Sequence, residues 1–149
     1  MNNYQSIDLR NRFDILIKFL YARSLEINIE VNIFKDIYYE HLRVWNNFYE
    51  HHPRKVCFDD YNLAFKNIIE SIKYDKFDWD KSPIPINNNH PINGAHRMAA
   101  SILYKKPIKV INSKNPIYIW DENFFRNRGL KEEYIQIVKN KLKIDKDEI

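Results

Sequence analysis

Ile84-Pro85-Ile86-Asn87-Asn88-Asn89-His90-Pro91-Ile92-Asn93-Gly94-Ala95-His96-Arg97-Met98-Ala99-Ala100 decides the fold class of this chain. Ile84-Pro85-Ile86 reads as a short strand, and Pro85, which lacks a ladder donor, predicts an edge or irregular one. Asn87-Asn88-Asn89 supplies a turn. Pro91-Ile92-Asn93 is a second extended piece. Gly94 then opens a helix to about Tyr104, with Met98, Ala99, Ile102 and Leu103 facing inward. After Pro107, the β-branched Ile108, Val110 and Ile111 predict a strand, and Ile117-Tyr118-Ile119-Trp120 predicts another.

Toward the N-terminus the hydrophobic period becomes helical. Phe13, Leu16, Ile17, Leu20 and Tyr21 recur at i, i+3, i+4, i+7 and i+8, one face of a helix. Phe34, Ile37, Tyr38, Leu42, Trp45 and Tyr49 stripe a second helix, and the short link predicts an antiparallel pair. Pro53 in His51-His52-Pro53-Arg54-Lys55 ends that pair. Asp59 or Asp60 is expected to cap a third helix, with Tyr61, Ala64, Phe65, Ile68 and Ile72 inward. Tyr74 to Lys81 is a charged, aromatic loop. Beyond the core, Asp121 caps a short helix carrying Phe124 and Phe125, Gly129 closes it, Leu130 to Leu142 forms the last helix, and Lys143 to Ile149 is a charged tail. The expected architecture is one α+β domain over residues 1–149, a helical layer (1–75) packed on a small mixed sheet and its helices (82–142).

Composition narrows the function classes. With 149 residues and 44% hydrophobic content, a folded core is expected rather than disorder. The lone Cys57 excludes an internal disulfide and Cys2His2 zinc sites, which suits a reducing cytoplasm. No run approaches a membrane span, and Met1-Asn2-Asn3-Tyr4-Gln5 does not read as a secretory leader, so no membrane partner is expected. The net charge of +4 is mildly basic and fits nucleotides, phosphorylated metabolites or nucleic acid. Only two glycines occur, Gly94 and Gly129, so each is expected where backbone geometry demands it.

The chemistry gathers at Asn93-Gly94-Ala95-His96-Arg97. The first turn of a helix carries N–H groups without internal partners, and the dipole adds positive charge there, so an anion is favoured. Gly94 lets the backbone approach closely, and His96 and Arg97 add donors, Arg97 with a fork that matches phosphate. Basic side chains oppose the dipole at that end, and a bound anion explains them better than helix stability does. A plain turn with a solvated His-Arg pair is the other reading of the same residues.

Residues 82–111 resemble the core of the ParB/sulfiredoxin-like superfamily. Pro83-Ile84-Pro85-Ile86, Ile92-Asn93-Gly94-Ala95-His96-Arg97, Ala99-Ala100 and Ile108-Lys109-Val110 match its short strand, glycine pair, His-Arg helix opening and following strand in order. The resemblance implies that Gly94, His96 and Arg97 contact a nucleotide phosphate: CTP as in ParB proteins, or ATP or ADP as in sulfiredoxins and free-serine kinases. Ala95 stands where sulfiredoxins place their cysteine, so that chemistry is not expected. With few residues after Ile111, a ParB-type clamp is not expected, while a DNA-binding fragment stays open, and Asn93 in place of the usual Asp weakens a base or metal role there. Tyr39-Glu40-His41, Trp45-Asn46, Trp120-Asp121-Glu122-Asn123-Phe124-Phe125 and Arg128-Gly129-Leu130 are similar to uncharacterised ParB-like proteins of bacterial surface-polysaccharide gene clusters, which implies work on a glycan building block.

The leading expectation is a nucleotide-dependent small-molecule kinase acting on a hydroxylated metabolite. It needs a base for the acceptor hydroxyl and an acid for Mg²⁺. Glu40 and Asp78 are the candidate catalytic carboxylates, with Asp75 and Asp80 also in reach, and each also suits a helix boundary or loop position. His41, His51, His52 and His90 have no Glu or Cys at ligand spacing, so no protein-held metal is expected. His90-Pro91 followed by Gly94 and Arg97 partly resembles the Fic motif, without its phenylalanine and Gly-Asn-Gly-Arg run. The alternative is a ParB-like module that binds nucleotide or nucleic acid without catalysis, for which Lys105, Lys106, Lys109 and Lys114 offer a basic stretch. The aromatic helical pair equally suits a homodimer interface.

Overall fold

The computed structural model describes residues 1–144, Ile144 by its backbone alone. A 3-10 turn (Tyr4–Ser6) leads into helices α1 (Phe13–Ile27), α2 (Val31–Asn46) and α3 (Phe58–Lys73). Strands β1 (Ile84–Asn87) and β2 (His90–Pro91), helix α4 (Ala95–Tyr104), strand β3 (Val110–Asn112), and helices α5 (Glu122–Asn127) and α6 (Glu132–Ile144) follow. The fold is α+β, as the alternation of periods predicts. Among the described residues no helix is long and apolar enough to cross a membrane. Residues 145–149 of the expected charged tail lie outside the described residues.

α1 is the axis. The sequence predicts one apolar stripe, but the helix is covered on nearly every side, with Phe13, Asp14, Ile15 and all residues from Ile17 to Ser24 buried. α2, α4 and α6 all pack on it, and α4 also receives α3. The expected helical layer therefore meets the mixed half through α4. Asn28 and Glu30 adopt left-handed backbone (φ 54° and 57°), which turns the chain back from α1 into α2. Between α2 and α3, Glu50 and Lys55 exchange two backbone hydrogen bonds of 3.0 Å and close a hairpin over residues 51–54.

Three local expectations are corrected. Neither Asp59 nor Asp60 sits at the N-cap of α3, which is Cys57; Asp60 instead accepts the Val56 N–H at 2.9 Å. The expected strand over residues 117–120 is absent. Its last residue, Trp120, makes a single parallel bridge to Arg12, because what lies beside it is the turn ahead of α1, not a strand. Pro85 lies in the central strand, not an edge, since the sheet order is β2-β1-β3, with β1 antiparallel to β2 and parallel to β3. Pro85 is tolerated because it only accepts: Ile92 donates to its carbonyl at 2.8 Å, and the two-residue β2 has already ended where a return donor would be needed. The Asp121 cap holds as read, its Oδ1 accepting from Phe124 N–H at 2.9 Å, and Gly129 closes α5 at φ 103°.

One hydrophobic cluster runs through both halves, joining Ile17, Phe65, Ile84, Met98, Ile108 and Val138. Its aromatic centre stacks Tyr21 on Tyr38 at 4.8 Å and sets Phe65 5.5 Å from Tyr38 and 4.6 Å from the His96 ring, so α1, α2, α3 and α4 meet there. Phe65 is fully buried. Phe65→Ala should destabilise by about 3–5 kcal/mol in urea unfolding, and Phe65→Leu by clearly less. A Phe65→Ala loss below about 1 kcal/mol would show that this ring does not hold the four helices together.

Candidate functional site

α4 starts from Gly94, whose left-handed backbone (φ 85°, ψ 31°) lets the chain turn sharply from β2 into the helix. Asn93 is occupied locally, its Oδ1 accepting the Gly94 N–H at 2.7 Å. No side chain caps α4 and no acid stands in its first turn. The first intrahelical bond runs from Met98 N–H to Gly94 O at 2.9 Å, so the N–H groups of Ala95, His96 and Arg97 have no helical acceptor. Residues 93–97 line a pocket of about 430 Å³. All five sequence-predicted binding residues are thus brought together on one cavity wall.

The two side chains of the turn do different work from that expected. Arg97 Nη1 donates to the carbonyls of Ser82 and Pro83 at 2.7 and 2.8 Å, tying the helix start to the chain entering β1. Its guanidinium lies over Gly94 so closely that a Cβ there would stand 2.9 Å from Nη2. Arg97 clamps the turn through Nη1, and among the described residues its Nε and Nη2 have no hydrogen-bond acceptor. His96 Nε2 lies 2.8 Å from the Tyr38 hydroxyl. With Tyr38 as donor, the imidazole proton sits on Nδ1. Burial, with Lys18 and Lys55 adding to it, holds the His96 imidazole well below its usual range, so the ring is neutral at pH 7.

The same pocket is lined by a buried charge cluster that sequence reading missed. Arg12 grips Asp14 in a fork, Nε to Oδ1 at 2.9 Å and Nη2 to Oδ2 at 2.8 Å, and Nη1 donates to Pro91 O at 2.6 Å. The Arg12 guanidinium lies 4.7 Å over the Trp120 ring. Lys18 follows one turn after Asp14, its Nζ 3.6 Å from Oδ2. Arg12, Asp14 and Lys18 are only 2%, 4% and 2% exposed. Burial would raise the Asp14 carboxyl, but Arg12 and Lys18 outweigh it and hold it at about 2. Burial lowers the Lys18 ammonium to about 8, with Asp14 opposing and Arg12 adding. The available signal was the charged pair at i, i+4 inside an otherwise apolar α1. Beneath them, His41 is fully buried, its Nδ1–H donating to Tyr38 O at 2.5 Å while Nε2 has no partner.

The hairpin between α2 and α3 brings Glu50, His52 and Lys55 to the same pocket. Lys55 Nζ donates to Glu50 Oε2 at 2.9 Å and lies 4.6 Å from the Tyr61 ring. Glu40 and Asp78 do not line this pocket. Glu40 accepts from Arg43 Nε at 2.8 Å on α2, and Asp78 accepts the Lys81 N–H at 3.1 Å within its loop. Asp75 and Asp80 pair with Lys106 and Lys109. His90 approaches Asp8 at 3.6 Å and is likewise not a lining residue. The carboxylates that do reach the cavity are Asp14 and Glu50.

Four basic side chains, Arg12, Lys18, Lys55 and Arg97, therefore face two carboxylates around the bare helix end. That balance favours an anion. Trp45, Tyr61, Phe77 and Trp120 add aromatic walls against which a planar ring can stack. Mg²⁺ takes one or two carboxylates besides phosphate oxygens. Both Asp14 oxygens already accept from Arg12, and Glu50 Oε2 accepts from Lys55, so this donor set fits a protein-held Mg²⁺ poorly. Among the described residues no three His, Cys, Asp or Glu side chains gather as metal ligands.

Two substitutions test the construction. Gly94→Ala forces a left-handed alanine against Arg97 and should cost about 1–2 kcal/mol in urea unfolding. Asp14→Asn leaves Arg12 and Lys18 buried without a counter-charge and should cost about 3–5 kcal/mol at pH 7. Because the Asp14 carboxyl is held below its unfolded value, its contribution is present above about pH 4 and is lost as pH falls toward 2. The urea midpoint should drop across that window in the wild type and drop less in Asp14→Asn. Equal acid sensitivity in both would show that Asp14 is not a source of it.

No protein-family model, no curated protein and no solved structure matches this chain.

Proposed function

We propose that the pocket holds a nucleotide by its phosphates and transfers a phosphoryl group to a hydroxylated small molecule, a metabolite or a glycan building block. One observation carries this reading: the uncapped N-terminus of α4 opens on a cavity that is also lined by buried cations and the Glu50 carboxylate. The backbone N–H groups of residues 95–97 take the phosphate oxygens, and aromatic walls take the base. A single exposed cysteine, Cys57, suits a cytoplasmic setting.

Glu50 replaces Glu40 and Asp78 as the proposed base, since it lines the pocket and they do not. The acceptor hydroxyl gives its proton to the Glu50 carboxylate and its oxygen bonds the terminal phosphorus. The bond from that phosphorus to the bridging oxygen breaks, and the nucleoside diphosphate leaves with the electron pair. The helix end and the lysines stabilise the charge on the leaving group. A nucleic-acid role draws less support, because Lys106 and Lys109 of the basic stretch are paired with Asp75 and Asp80.

Calorimetry with ATP, ADP, CTP and GTP tests the binding half. Binding of at least one nucleotide by the wild type, abolished or strongly weakened in Gly94→Ala, is the expected result. For the acceptor that a screen identifies, Glu50→Gln should keep nucleotide affinity and lower turnover by about 10²–10⁴-fold. Folded wild type that binds none of the four nucleotides would sink the proposal.

A further inference from the structure

A buried ammonium has three donors and no water, so it needs acceptors within reach. Lys18 is 2% exposed and lines the pocket, yet its ionic contact, Asp14 Oδ2, is 3.6 Å away and already accepts from Arg12 at 2.8 Å. The face of Trp45 lies 5.7 Å away and accepts no conventional hydrogen bond, and Glu50 acts on Lys18 by charge and already accepts from Lys55. Of the other basic groups at the pocket, Arg12 spends Nε, Nη1 and Nη2 on Asp14 and Pro91 O, Lys55 holds Glu50, and Arg97 spends Nη1 on Ser82 O and Pro83 O. Lys18 is therefore the fully buried cation there with donors left for something in the cavity.

We infer that Lys18 grips the ligand from the buried side of the pocket, and that the ligand presents a phosphate oxyanion to its Nζ beside the N-terminus of α4. This rests on the pocket's being a phosphate site. It changes which residue discriminates. An uncharged nucleoside leaves the ammonium unsatisfied and is refused, whereas a phosphate ester supplies both charge and acceptors.

Affinity then follows the protonation of Lys18. Its ammonium, lowered to about 8, is charged below that pH and binds the anion; raising the pH through 8 removes the charge and the affinity with it. The groups sharing its surroundings are Arg12 and Asp14 at the start of α1, His41 and Trp45 on α2, Glu50, His52 and Lys55 on the hairpin, and His96 and Arg97 on α4. Asp14 is held at about 2, and burial with nearby Lys18 keeps the His41 and His96 imidazoles well below their usual range, so none of these three changes charge between pH 7 and 9. His52 is separated by its own variant.

The experiment is calorimetry at pH 7 and pH 9 on wild type, Lys18→Met and His52→Gln. The probes are ATP, a hexose 6-phosphate and adenosine. Wild-type Kd for a phosphate probe should rise about tenfold between the two pH values, as one linked proton requires. Lys18→Met should bind about 10–100-fold more weakly at pH 7 and show no step, as expected for one lost charge-assisted contact. His52→Gln should keep the step, and adenosine should bind weakly with no step in any protein. ATP alone showing the step identifies a nucleotide, and both phosphates showing it identifies a general phosphate ester; either supports Lys18. Phosphate binding with a flat wild-type profile, or unchanged in Lys18→Met, overturns the role of Lys18 and leaves the phosphate site standing. Failure of both phosphate probes at both pH values overturns the phosphate site together with it. Should Lys18→Met fail to fold, the wild-type and His52→Gln profiles decide.

Discussion

The fork between Arg12 and Asp14 is the interaction on which the rest of the site depends. Arg12 joins three distant pieces of chain: it pairs with the first turn of α1, bonds the carbonyl of Pro91 in β2 at 2.6 Å, and lies against Trp120 ahead of α5. A buried ion pair of this kind is not in itself a source of stability, because apolar residues of the same volume often do as well. What it does is fix where charge can sit. Asp14 gives its close contacts to Arg12 and stands 3.6 Å from Lys18 Nζ, a counter-charge that leaves the ammonium with donors to spare. The core thereby carries a positive charge to the edge of a cavity.

The glycine turn lining the same cavity divides its labour between side chain and backbone. The Arg97 side chain secures the turn by holding two carbonyls of the segment before β1. His96 is folded into an aromatic nest of Tyr38, Tyr61 and Phe65 and stays neutral. The backbone N–H groups, with Arg97 Nε and Nη2, are what remains for a ligand. Gly94 matters twice: its positive φ aims the helix end, and its missing Cβ makes room for the Arg97 guanidinium.

Much of the fold was legible along the chain. The 3.6 period predicted α1, α2 and α3, the Asn-rich turn and β-branched residues predicted β1 and β3, and Gly94 and Gly129 both proved to stand at positive φ. The failures are physical. Ile117 to Trp120 has strand composition but no strand beside it, so propensity had nothing to pair with. Pro85 looked like an edge residue because its missing donor was visible in the sequence, while the shortness of the neighbouring β2 was not. The candidate binding turn was legible as a contiguous motif. The candidate carboxylates Glu40 and Asp78 were not separable from Glu50 by sequence, because reaching one cavity depends on how the hairpin at 50–55 folds back.

Local order thus determined the elements and the uncapped helix end, since both follow from neighbouring residues: apolar spacing, a glycine, and the absence of an acid in the first turn of α4. Only the tertiary structure decided which charges meet that helix end. Arg12, Lys18 and Lys55 come from separate stretches of chain, and their effect on a ligand depends on burial and on whether Asp14 or Glu50 already satisfies them. Arg97 shows the reason most plainly. Its identity and spacing mark it as a phosphate-binding residue, but the carbonyls of Ser82 and Pro83, brought alongside from the segment before β1, claim its Nη1, and the buried ammonium of Lys18, absent from the motif, joins the same pocket.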